Sequence, residues 1–407
     1  MANNLLTNNI VIKEALPILR NKLPMVKMVN KQFQDTITDE NARAGGIINY
    51  KRPPRYLGRQ GELMKIESTV ETSRPLVLQQ AGVDVSFSLK DLQLSMDDVK
   101  RGGLTTVLDP AMTAIAAQIE VAGMQLYKGV ANVVGTPGTP PTSSTVIARA
   151  NALITAAGGS LSNNRAAIVD PFTDASLADQ LSLRFNPQSE QSKTYMEGMM
   201  GRALGFEFYD SPAVQTHTAG TYGGTPLVNG ALQSGSVLAT DGWTPTTTTL
   251  NIGDTFTIGG VNSVNPQTRS DTGQLQNFVV TAKTVTDGAG LSNISISPAI
   301  VASGQFQNVS ALPADNAPIT ITSGTSGQTS RQSLLFDPLA FTFASCPLAL
   351  PPGNGVAYAG RATDKMSGLS ISCISDYDIK NNQMLTRFDV LFAWDLAYPE
   401  LAVRLEG

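Results

Sequence analysis

Val83, Val85, Phe87 and Leu89 face one way along the chain, with Asp84, Ser86, Ser88 and Lys90 opposite. Successive side chains of a strand leave opposite faces, so this spacing predicts a half-buried strand. The same rhythm returns near the end, where Phe388, Val390, Phe392 and Trp394 alternate with Asp389, Leu391 and Ala393. Pro399 then sets off a last strand, "LAVRL". These two strands are expected to pair and to fix the terminus in a sheet.

Helical spacing governs other stretches. In "DPAMTAIAAQIEVAGMQLYKG", Ile115, Ile119, Ala122 and Leu126 form one apolar stripe. Asp109 is placed to cap the first amides, Pro110 takes the first helical position and Gly129 ends the helix. At 1.5 Å per residue it would span ~28 Å, long enough to act as a spine for the molecule. Near the start, Ile12, Leu16 and Leu19 oppose Lys13 and Arg20, a short amphipathic helix that Pro17 or Pro24 should interrupt. A third helix is expected over 145–157, capped by Ser143 or Ser144 and stopped by Gly158. "AAIVDPFTDASLADQL" predicts a buried strand, a turn at Asp170-Pro171 and a short helix; "GFEFYDSPAV" predicts another strand. The strand beginning at Ile47 loses its alternation among Pro53, Pro54, Gly58 and Gly61, where Lys51, Arg52, Arg55 and Arg59 crowd together. That reads as an extended, projecting loop or hairpin.

Between Tyr222 and Ser345 the composition shifts. These 124 residues contain no Glu, six Asp and three Lys or Arg, and Ser, Thr and Gly dominate. Thr255, Thr257 and Gly259 alternate with Phe256 and Ile258, and Gly259-Gly260 offers a turn before Val261 and Val264. Similar alternations recur in "QNFVVTAKTV", "NISISPAIV" and "APITITS", with turn chemistry at Asp287-Gly288 and Ser323-Gly324. Short strands at this spacing suggest a small antiparallel barrel or sandwich. Its flanks each look incomplete as domains, so the segment reads as an insertion.

Bulk properties narrow the function classes. A chain of 407 residues suggests two or three folded units. The net charge of -4 is unevenly placed: residues 1–60 hold ten Lys or Arg against four Asp or Glu. A basic amino-terminal arm on a mildly acidic body suits an arm that reaches onto a neighbouring acidic surface. No apolar run is long enough for a membrane helix, and "MANNLLTNNIVIKEALPILRNK" does not read as a signal peptide. Cys346 and Cys373 are too few for a disulfide scaffold and fit a reducing compartment.

Chemistry finds little purchase. His217 is the single histidine and lies in "QTHTAGTYGG", which reads as a linker with the ring at the surface. No zinc spacing, phosphate loop or Gly-x-Gly-x-x-Gly is present, and "DYDIKN" fails as a calcium loop and reads as a polar turn. The carboxylate pairs Asp97-Asp98 and Glu67/Glu71 have spacings common on surfaces. Arg52-Pro-Pro-Arg55-Tyr56 is explained as a solvated loop without invoking nucleic acid. No enzyme and no cofactor are expected.

The order of these pieces resembles the major coat proteins of tailed double-stranded-DNA bacteriophages, which share the Hong Kong 97-type shell fold. It is most similar to short-tailed phage coats with an extra insertion domain. "GGIINYKRP" and "VDVSFSLKDLQLSMDD" match the two sides of the extended loop, and "LDPAMTAIAAQIEVAGMQLY" the spine helix. "GRALGFEFYDSPAV" matches the axial segment before the insertion, "GDTFTIGGV" a strand of the inserted barrel, and "GLSISCISDYDI" with "RFDVLFAWDLAYPELAVRLEG" the closing part. The resemblance implies an α+β fold. Its parts would be an N-terminal arm (1–40), extended loop (41–80), peripheral domain with spine helix (81–129) and axial domain (130–221 and 346–380). An inserted β-barrel (222–345) and peripheral C-terminal strands (381–407) complete it.

It also implies a major capsid protein that self-assembles as pentamers and hexamers into an icosahedral shell around packaged DNA. The implied partners are further copies of itself, a scaffolding protein during assembly, a portal protein and double-stranded DNA held without sequence-specific contacts. A decoration protein is an optional further partner. The place would be the virion, after assembly in the host bacterial cytoplasm. Glu14 and Arg20 are candidate scaffold contacts on the arm; Lys51, Arg52, Arg55 and Arg59 are candidates on the extended loop. Arg269 and Asp271, in "NPQTRSDTGQLQNF", are candidates for ion pairs between capsomers. No covalent cross-linking pair is marked, so the shell is expected to be held non-covalently. The alternative is a β-rich tail-tube or receptor-binding structural protein.

Overall fold

Two prolines that look like breaks sit inside helices of the computed structural model. It describes residues 7–31, 44–52, 55–56, 61–63, 71–88, 103–160, 164–182, 201–246, 248–351, 356, 358–364, 368–381 and 383–407. Helix α1 (Thr7–Asn21) runs through Pro17, and α2 (Pro24–Met28) begins on Pro24. Pro17 lies on the exposed side while Ile12, Ala15 and Leu19 are buried, so packing on one face outweighs one lost backbone bond.

Helix α3 (Gly103–Met124) likewise contains Pro110, so Asp109 is not its cap. Asp109 instead sits 3.1 Å from Lys22 Nζ. The buried stripe is Leu108, Met112, Ile115 and Ile119, with Ala122 and Leu126 only half-buried. At 22 residues the helix spans about 33 Å. A 3₁₀ turn, Gln125–Gly129, carries it to the expected stop. Helices α4 (Ser144–Ala156) and α5 (Pro171–Ser182) follow the sequence expectation. Ser143 caps α4 by accepting from Thr145 N, and Gly158 follows it at φ +83°.

The first eight strands are β1 (Ile47–Arg52), β2 (Thr72–Val77), β3 (Gln79–Ser88), β4 (Val133–Gly135), β5 (Arg165–Val169), β6 (Arg202–Ala203), β7 (Phe206–Asp210) and β8 (Gln215–Thr218). Next come β9 (Gly224–Val228), β10 (Gly235–Trp243), β11 (Thr249–Leu250), β12 (Thr255–Val264), β13 (Asp271–Val280), β14 (Thr284–Val285), β15 (Ser292–Ile300) and β16 (Ile319–Ile321). The last six are β17 (Thr329–Phe336), β18 (Phe341–Cys346), β19 (Tyr358–Thr363), β20 (Ser370–Asp378), β21 (Gln383–Leu396) and β22 (Ala402–Glu406). The fold is thus mixed and β-rich.

The chain divides into two compact units. One comprises Met1–Lys51, Ser73–Gly123 and Phe341–Asp395. Its sheet has the order β18-β21-β20-β19, with β3 also paired to β21 in antiparallel register from Gln383↔Ser88 to Phe392↔Gln79. Val83 and Val85 are half-buried and Asp84 exposed, as the alternation predicts, whereas Leu89 lies outside the described residues. On β21 the alternation misleads: Leu391 and Ala393 are as buried as Phe388 and Val390, so both faces are covered there.

The second unit comprises Arg52–Thr72, Met124–Ala340 and Leu396–Gly407. It holds a seven-stranded sheet, β4-β22-β17-β5-β7-β6, with β8 alongside β17. A six-stranded sheet follows the order β16-β12-β13-β15-β10-β9. Its edge strands meet, since Val228 N donates to Ala317 O at 3.0 Å and Asn316 N to Val228 O at 2.9 Å. Inside it lie Leu238, Trp243, Phe256, Ile258, Phe278, Ile294 and Ile296.

Three expectations are corrected. Gly259-Gly260 is not a turn: β12 runs through both, with Gly260 at φ +79° and a register shift between Thr257 and Asn262, the mark of a bulge. The composition boundary at Ser345 overshoots, because β17 belongs to the seven-stranded sheet and β18 to the sheet of the first unit. The terminal strands do not pair with each other, since β21 and β22 lie in different sheets.

Candidate functional site

The extended segment is fastened at its base by charge. In the first unit, Tyr50 Oη donates to Asp395 Oδ2 at 2.6 Å and Arg74 Nε lies 3.2 Å from the same oxygen. In the second, Arg52 stacks over Tyr398 at 4.5 Å and reaches within 3.8 Å of Glu400 Oε1, which Arg55 also bonds. Two of the four predicted basic contacts are therefore held by their own chain. Lys51 is exposed; Arg59 lies outside the described residues, as do Asp97, Asp98 and Glu67. Further out, Tyr56 is 59% and Leu63 89% exposed.

Elsewhere the candidates are scattered. Arg20 pairs with Asp364 at 3.4 Å, and Glu14 falls in α1 with its side chain outside those described. Arg269 occupies a left-handed position, φ +54°, in the tight turn joining β12 to β13. Asn265 organises that turn: its Oδ1 accepts from Gln267 N and Thr268 N, and its Nδ2 donates to Ala156 O at 2.8 Å. The turn is thereby tied to the end of α4. Asp271 accepts from Asn262 Nδ2 at 3.0 Å and Gly273 N at 2.7 Å, bonds that hold its exposed carboxyl below the usual range.

The polar cluster that sequence reading missed lies in the second unit. His217, expected at a surface, is 3% exposed on β8, and its Nε2 is 2.8 Å from Asp254 Oδ1. Tyr127 Oη stands 3.3 Å from His217 Nδ1. Asp254, 0% exposed, also accepts from Gly220 N at 3.1 Å and Asn251 N at 2.8 Å. Arg404 donates to Gly253 O at 2.9 Å and to Gln332 Oε1 at 3.4 Å, beside the buried Glu406 two positions along β22. Burial pushes the Glu406 carboxyl and the Tyr127 hydroxyl up, with Arg404 pulling both back. Gly253, at φ +102°, leaves room for the imidazole: a Cβ there would stand 3.2 Å from His217 Cε1.

Buried this deeply, the His217–Asp254 pair meets no substrate. Its geometry does something else: the 251–254 loop before β12 is plugged into side chains from β8, β17 and β22. The available signal was in "LAVRLEG", where Arg404 and Glu406 share one face of an otherwise apolar strand. Among the described residues no His, Cys, Asp and Glu group is arranged to hold a metal, and no helix is long and apolar enough to cross a membrane. Cys346 and Cys373 are buried and unpaired with each other, and burial raises the Cys373 thiol to about 11.

A family model matches the chain across residues 1–407, that of "P22 coat protein - gene protein 5". The chain belongs to the P22 coat protein family. It is therefore a major capsid protein, a structural subunit that assembles with copies of itself into a phage shell, and its place is the virion. The tail-tube alternative is not favoured. A search of the curated proteins found no match. Among solved structures, the capsid of Ralstonia phage GP4 is similar at 8% identity, over 94% of this chain and 89% of that one, with TM-score 0.46. A structure from Mycobacterium phage Che8 is similar at 11% identity, over 93% and 89%, with TM-score 0.41. The CUS-3 coat protein I-domain is 31% identical over 26% of this chain and 96% of that one, with TM-score 0.18. At such scores it is the family match that carries the assignment.

Proposed function

We propose that the P22-family coat protein takes the Hong Kong 97-type arrangement and closes as pentamers and hexamers into an icosahedral shell around double-stranded DNA. The observation that carries this reading is the family match across residues 1–407. The long α3 fits a spine helix, β1–β2 the base of an extended loop, and the joined edges of the six-stranded sheet an inserted barrel. The barrel domain then spans about residues 222–327, and 328–340 returns to the axial body. Cys346 and Cys373 are buried and form no disulfide, which fits a shell held without disulfide links and assembled in the host cytoplasm.

In this reading the arm meets scaffold through Glu14 and Arg20, and the loop reaches a neighbouring copy beyond the Arg52–Arg55–Glu400 anchor, presenting Lys51, Tyr56, Arg59 and Leu63. Arg269 and Asp271 face the next capsomer from the tip of the β12–β13 hairpin. A portal protein, and optionally a decoration protein, complete the partners, and DNA is enclosed without specific contacts because the net charge is only -4.

Leu63→Asp is the sharpest test of the loop. The variant should fold as wild type, since the side chain is solvent-exposed, yet assemble far less, read by sedimentation velocity. Normal assembly of that variant would remove the loop contact from the account.

A further inference from the structure

We propose that Glu120 and Gly123 of the spine helix form a releasable dock for the amino-terminal arm, with the ionisation of Glu120 setting its hold. The dock is a side-chain-free notch next to one buried carboxyl. A Cβ at Gly123 would stand 2.7 Å from Met25 Sδ and 3.0 Å from the Trp394 ring, so any side chain there would have to displace Met25 and crowd Trp394 where α2 seats against α3. One residue group along, Glu120 is 3% exposed and its Oε1 accepts from Met25 N at 3.1 Å. Its Oε2 has no hydrogen-bond partner among the described residues. Trp394 closes the notch from β21, donating Nε1 to Ile119 O at 3.1 Å.

A carboxylate buried this deeply, with one oxygen left without a partner, is poorly compensated, whereas the protonated acid keeps the Met25 bond without the charge. Burial accordingly raises the Glu120 carboxyl to about 8, against the Met25 and Val26 amides and Lys27, which favour the charged form. Lys27, on α2, is the charged group that acts on Glu120, while Lys22 pairs with Asp109, Arg20 with Asp364 and Asp395 with Arg74. The sign follows. The docked arm binds a proton that the released arm gives up, so docking is strongest at low pH and weakens as pH rises from the ordinary carboxyl range through about 8.

Hydrogen exchange of the full-length protein, expressed as protection factors over residues 19–29, tests this at pH 6 and pH 9. Protection of the arm should fall on the order of tenfold or more at the higher pH, with β20 and β21 unchanged. Glu120→Gln keeps an acceptor for Met25 N and should hold the arm equally at both values. Gly123→Val should loosen the arm at both. Wild-type arm protection independent of pH, or a pH effect retained in Glu120→Gln, would overturn the proposal. The wild-type series decides by itself should a variant fail to fold.

Discussion

Arg404 and Glu406 are two charges on the last strand, fully buried and two residues apart. Arg404 favours the charged form of Glu406 against burial, so removing either group leaves the other buried without that compensation, at a cost of about 3 kcal/mol. Arg404→Met should lower subunit stability by about 3 kcal/mol in urea unfolding, and Arg404→Met with Glu406→Gln should recover much of that loss. Strict additivity would show that the pair is not coupled. Asp174 offers a pH test. Burial, assisted by Asp210, lifts its carboxyl to about 6, so the native state holds a proton that the unfolded chain releases. Its contribution is complete below the ordinary value near 3.8 and is lost as pH rises through about 6. Because the group is half-exposed, Asp174→Asn should stabilise by only about 1 kcal/mol at pH 7 and by nothing near pH 3. At this scale the sequence misled most. Thr216, Thr218 and Gly220 make His217 look like a linker residue, and its partners lie 37 and 90 positions away.

Elements were more legible. The Ser143-capped helix and strand β3 rest on local rules, and each is found where those rules place it, whereas Asp170-Pro171 is no turn but the start of α5. The misses arise where tertiary packing overrides a local preference. Pro17 and Pro110 sit inside helices whose buried stripes hold them on course, and Gly259-Gly260 bends a strand instead of ending it. The composition boundary at Ser345 departs from the strand pairing for a related reason. Residues 329–345 share the scarcity of charge that begins at Tyr222, but composition reports solvent and interior, not which strand is paired. Residues 219–220 and 327–328 lie side by side, Ala219 N donating to Gln328 O at 2.8 Å and Gly327 N to Gly220 O at 3.2 Å. Residues 222–327 should therefore fold alone in a cooperative thermal transition, seen by circular dichroism. Excising 222–345 should abolish folding, because β17 and part of β18 go with it. Excising 222–327 should leave a folded but weakened body, missing Asp254 beneath His217. Equal outcomes for the two deletions would contradict the boundary.

For the whole molecule, the coat-protein assignment was readable from the order of the pieces, and the family match across residues 1–407 bears it out. What no single chain displays is the neighbour: Leu63 and Tyr56 stand exposed on a segment whose base is anchored by Arg52, Arg55 and Glu400. Such surface on a tethered segment is accounted for when another copy covers it. Electron microscopy of the purified protein under assembly conditions tests this most directly. The account expects closed, faceted particles built from five- and sixfold clusters. Open tubes, or dispersed monomers at every concentration and salt tried, would contradict it.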